Sequence, residues 1–186
     1  MNTKIVGIVT ILILLMAGVW WFVFNPQHAS YDFQFVQGES IDNWSFKGAY
    51  TGDAELEAKA QSEIKRQKGR YGNPENDPTD YIINVGIANQ YELLGDGQME
   101  FEYLMYALAI DAKNTGLAWH NLGKLLERLG AYKSALLAYD AAVAAQSTRQ
   151  YQFARLEFLK AHMPENTEAI EEAEERLRNT SDVILE

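Results

Sequence analysis

Three histidines, a run of glutamates and no cysteine are the side chains from which this 186-residue chain would have to build catalysis or a metal site. Metal binding needs ligands spaced so that they surround one ion, as two histidines one helical turn apart do. His28, His120 and His162 are scattered, and none has such a partner. Glu171, Glu172, Glu174 and Glu175 form a charge run, which is the pattern of a solvated helix face rather than of a paired acid and base. Lack of cysteine excludes thiolate ligands and thiol nucleophiles. No glycine-rich phosphate loop, serine elbow or HExxH occurs. The expectation is a non-enzyme, with no catalytic residue, metal or cofactor.

The elements that would carry any site begin with the amino terminus. Ile5 to Phe24 is uncharged between Lys4 and Asp32, matching the run of about 20 residues that a membrane-spanning helix needs. Trp20, Trp21 and Phe22 close it with an aromatic cluster suited to the headgroup level, and Asn25 and Pro26 end it. A cleaved signal peptide is the competing reading, with Ala29 and Ser30 as its exit. No Lys or Arg follows the span until Lys47, so Lys4 and the terminus stay in the cytoplasm and the remainder faces outward, periplasmic or extracellular. This divides the chain into a cytoplasmic end (1–4), a transmembrane anchor (5–24), a juxtamembrane linker (25–52), a leading helix (53–69) and a helical domain (81–183).

With 16 Lys and Arg against 26 Asp and Glu, the net charge is −10, which repels phosphate backbones and excludes nucleic acid as a partner. Tyr31 to Val36 alternates aromatic and polar residues. It is read as a spacer whose aromatics lie on the following helices, with a short strand or a partner-binding extended piece as alternatives. Asp53 to Lys68 reads as a peripheral helix with Leu56 and Ile64 inward, and the Gly, Pro and Asn of residues 69–79 as a loop.

After that loop the sequence repeats. A shift of 35 residues places Leu94-Gly95 on Leu129-Gly130, Ile87-Ala88 on Leu122-Gly123 and Ala107 on Ala142. The helices fall near 80–94, 97–111, 115–129 and 132–145, joined by the short turns of antiparallel neighbours. A shift of 34 continues this into a weaker third pair, with Phe153 under Trp119 and Leu156 under Leu122. Pro164 and Asn166 mark the turn to a last, polar helix from Thr167, a solvent-facing cap.

Trp119, Leu122, Gly123, Leu126, Gly130, Tyr132, Ala135, Tyr139 and Ala142 resemble the spaced pattern of a tetratricopeptide repeat, over residues 81 to about 180. Its usual proline is replaced by Ala112 and Ser147. The resemblance implies an all-α fold, a short α-solenoid of antiparallel helix pairs. Gly123 would be a notch opposite Ala135 and Ala142, with Trp119, Leu126 and Tyr139 filling the space beside it. In such arrays the first helices line a groove; here that implies Ile82, Val85, Asn89, His120, Asn121, Lys124, Tyr151, Arg155 and Phe158. Asn89, Asn121 and Arg155 match the family's carboxylate-binding subclass, whereas Val85 and Tyr151 replace its lysines, which favours a groove for an extended or helical peptide. The expected function is a membrane-anchored scaffold holding a protein or peptide partner outside the cytoplasm, as in envelope complex assembly. The alternatives are a structural or oligomerising protein whose groove holds its own aromatic segment, and a secreted repeat protein after signal cleavage.

Overall fold

Asp53 opens the first helix by accepting from the backbone N–H groups of Glu55 and Leu56, and Gly69 closes it. The computed structural model describes residues 29–72 and 79–182. The span expected at 5–24 lies outside them; no described helix is long and apolar enough to cross a membrane.

Seven helices and no strand make up the described chain: α1 (Ala54–Lys68), α2 (Asp80–Leu94), α3 (Gly97–Ile110), α4 (Leu117–Arg128), α5 (Tyr132–Ala145), α6 (Arg149–His162) and α7 (Thr167–Asp182). The pairs α2/α3, α4/α5 and α6/α7 pack most extensively, successive pairs stack, and α1 lies on α2. This is the all-helical, pairwise array expected. Gly95 and Gly130, both at positive φ, end α2 and the α4 turn identically: the glycine N–H bonds back to Glu92 or Glu127, and the next N–H to Tyr91 or Leu126.

One core runs from Ile64 through the middle pairs to Phe158, and a small second cluster of Leu156, Leu159 and Ala173 joins α6 to α7. Gly123 is a notch, but its occupant differs from the one expected. A Cβ there would meet the Tyr139 ring at 2.8 Å, so the ring itself lies over the glycine. Tyr139 is held in place by its hydroxyl on Glu127 and its face on Phe158.

Residues 31–50 form an extended strap bound to the array. Tyr31 N–H donates to the Met105 carbonyl of α3, and Val36 N–H to the Ser134 hydroxyl of α5. The aromatics do lie on the following helices: Tyr31 and Phe33 cover Trp119, while Phe35 and Trp44 pack on Phe101. The backbone then passes the α2–α3 turn at van der Waals distance, where a Cβ on Gly48, Gly95 or Gly97 would stand 2.2, 2.0 or 2.5 Å from a carbonyl oxygen. Three glycines here make room for backbone, not side chain.

Candidate partner-binding surfaces

The middle helix α4 presents three directions. Trp119, Leu122 and Leu126 point into the core, His120 and Gly123 toward α5 and α6, and Asn121, Lys124 and Arg128 toward α2. On that last side Asn121 Nδ2 donates to Asn89 Oδ1 at 2.9 Å, and Glu92 holds both Lys124 (3.3 Å) and Arg128 (2.8 Å). Burial opposes ionisation of Glu92, but the two cations outweigh it and hold the carboxyl below its ordinary range. A polar strip of amide donors and acceptors with one ion triad therefore joins the first two pairs.

Beside the strip, His120 is half-buried against the rings of Tyr139 and Tyr151. Burial, then repulsion from Lys124, lowers its pKa, so the imidazole is neutral near pH 7. Its buried Nδ1 has no hydrogen-bond partner among the described residues. An orphan of this kind is unusual in a native fold.

The third helix pair corrects the expected groove. Tyr151 is 8 % and Phe158 2 % exposed, so both pack between helices. Arg155 turns away from the Asn89 strip to pair with Asp140 of α5 and, at 3.9 Å, Glu172 of α7. The cause is a one-residue shift in register. The buried positions of α4 (118, 119, 122, 123, 125 and 126) recur on α6 at 151, 152, 156, 158 and 159, with Arg155 in the place of Leu122, so the offset is 33. Gln152 thus replaces Trp119, and Phe153, expected in that place, is 51 % exposed.

A cleft of about 440 Å³ opens where α5, α6 and α7 meet, lined by Asp140, Ser147, Gln152, Arg155, Glu172 and Arg176 among others. The cleft was not legible in the sequence because its polar residues are spread over three helices, and α6 stands one residue out of the expected register. Among the described residues no group of three His, Asp or Glu is placed to hold a metal ion. Comparison of the chain with protein-family models, with curated proteins and with solved structures gives no match.

Proposed function

We propose that the chain is a tetratricopeptide-like adaptor, anchored in a membrane through residues 5–24 with its repeats outside the cytoplasm, which holds an extended segment of a partner protein across α2 and α4. The observation that carries this reading is the Asn121–Asn89 hydrogen bond between α4 and α2, with Asn89 exposed. Side-chain amides on adjacent parallel elements offer donors and acceptors at backbone spacing, so an extended peptide finds partners for its own N–H and C=O groups. The Glu92–Lys124–Arg128 triad beside them supplies register without a large net charge.

Photoreactive groups at Asn89 and Asn121, crosslinked in membranes of the source cell, test it. One foreign protein captured from both positions supports the adaptor. Capture of nothing, or of this chain alone, overturns it.

A second reading, a structural protein that fills its own groove, is favoured by the strap on Trp119 and Phe101. That strap lies mainly over α3, α4 and α5 and reaches the strip at its far end, where the Phe46 ring lies on Arg128, while Asn89 is exposed.

A further inference from the structure

The corrected register brings three equivalent positions into view. Asn84 of α2, Trp119 of α4 and Gln152 of α6 are each buried, and each forms the floor between successive second helices. The polar tip of each floor residue is hydrogen-bonded: Asn84 to the Tyr71 hydroxyl at 2.5 Å, Trp119 to the Ala112 carbonyl at 2.8 Å, Gln152 to the Ser147 hydroxyl at 2.7 Å.

Two of these gaps are closed by an aromatic residue from outside the helix pairs. Tyr71, in the turn after α1, covers Asn84 and faces Tyr103 and Tyr106 of α3. Tyr31 and Phe33 of the strap cover Trp119, with the strap backbone running against the direction of α3 from Met105 toward Phe101. The third gap, over Gln152, is the 440 Å³ cleft. Where the second repeat has the apolar Met105 and Leu122, the third has Asp140 and Arg155 at shifts of 35 and 33, and Arg176 lines the cleft from α7. Arg155 bridges Asp140 and Glu172, and Arg176 bonds Glu172 from the next turn.

We propose that the third gap is a docking site for a tyrosine-bearing, basic, extended segment of a partner protein, which enters over Gln152 as Tyr31 enters over Trp119. The volume accommodates one aromatic side chain and the backbone on either side of it. The planar Arg155 guanidinium offers a stacking surface for the ring. Basic flanks are attracted by the rest of α7, where Glu172 lines the cleft and Glu168, Glu171 and Glu175 are exposed beyond it, while Glu174 pairs with Lys160. This surface is separate from the Asn89 strip and stands or falls without it.

The test titrates the full chain, followed by amide NMR, with a synthetic peptide of residues 29–36 carrying Asp32→Lys and Gln34→Lys. Changes in amide resonance position are expected at Gln152, Arg155 and Ala173, weakening with added salt. Binding should drop at least tenfold for the peptide with Tyr31→Ala, and likewise for the protein with Gln152→Trp, which fills the gap; the peptide variant keeps the test decisive if the protein variant misfolds. The proposal is overturned if no resonance moves at millimolar peptide. It is equally overturned by movement confined to Trp119 and Phe101, which means strap displacement, or by the same movement appearing with protein concentration alone, which means a second copy fills the gap. Movement only at Asn89 and Asn121 sinks it while supporting the adaptor surface.

Discussion

Burying a carboxyl group forces a choice between finding a cation and keeping the proton, because an unpaired charge in a low-dielectric interior costs several kcal/mol. Glu100 is 3 % exposed and its Oε2 has no partner among the described residues. Burial first, then repulsion from Glu92, pushes its pKa up to about 8, while Arg128 and Lys124 oppose the rise only in part. In the unfolded chain the same group ionises near 4.5. Between those values the folded state binds the proton and the unfolded state has lost it, so stability falls as pH rises from about 4.5 to about 8 and is flat above. Glu100→Gln, which mimics the protonated acid, should therefore match the parent at pH 4.5 and exceed it at pH 8 by on the order of a few kcal/mol, since each tenfold difference in proton affinity between the two states is worth about 1.4 kcal/mol. Denaturant midpoints at the two pH values check this, and a pH-independent difference would sink it. Gly123 poses the opposite problem of too little space. A leucine there gains about 1 kcal/mol or less of helix propensity but must displace the Tyr139 ring, pinned by Glu127 and Phe158, so Gly123→Leu should cost about 1 to 3 kcal/mol net or more. A melting temperature equal to the parent's would show that the notch has slack. Glycine in a helix was visible in the sequence as a packing signal; that its occupant is a ring rather than two alanines was not, since the rotation of α5 about its axis is set by contacts from α6.

At the level of elements, the legible features are those that the backbone itself demands. Gly95 and Gly130 stop helices by taking positive φ, Asp53 starts one by capping, and Pro164 to Asn166 separates α6 from α7, so these boundaries could be read within a residue or two. The register of α6 could not. Its turn from α5 spans only residues 146–148, against 111–116 in the previous repeat, and Leu156 stands where Gly123 would have marked the place. The strap's aromatics could be placed on the helices, yet its backbone path could not, because an extended segment paired with no strand carries no period. Its main polar anchor was hidden for a similar reason. The α5 N-cap, Ala131, has no capping side chain, and Glu39 of the strap supplies one, accepting from Lys133 N–H, Ser134 N–H and the Ser134 hydroxyl at 2.7–2.8 Å. Burial raises the Glu39 pKa, but the Ser134 and Lys133 bonds outweigh it and leave the group below its ordinary range. This contribution is present above the ordinary glutamate range and is lost as pH falls through the lowered value. Glu39→Gln should remove about 1 kcal/mol, as loss of a cap does, and should speed amide exchange at Lys133 and Ser134 first. Unchanged exchange there would mean that water replaces the carboxylate at no cost.

Across the whole molecule, stability in a stacked array is set by nearest-neighbour interfaces, so whatever ties repeats together determines which part opens first. The strap ties the first two pairs: its hydrogen bonds reach the α2–α3 turn at Leu93 and Gly95, α3 at Met105 and α5 at Ser134, while its rings cover α4 at Trp119. A long connection that contacts four helices makes them one cooperative unit, because none of them can leave without uncovering aromatic surface. Among the described residues, the third pair has no such tie. Its own core is the cluster of Leu156, Leu159 and Ala173, and its polar cleft contributes ion pairs that are partly solvated and worth little individually. Native-state hydrogen exchange should accordingly grade along the chain, with α3 to α5 protected to the global limit and α7 opening at a lower free energy. A basic tyrosine-bearing segment bound over Gln152 would supply to α5, α6 and α7 the closure that the strap supplies to α3, α4 and α5, so the same peptide titration should raise protection of α7 selectively. Equal protection of α3 and α7 in the unbound chain would mean that the α6/α7 interface is as strong as the strapped ones, and the gradient would have to be abandoned.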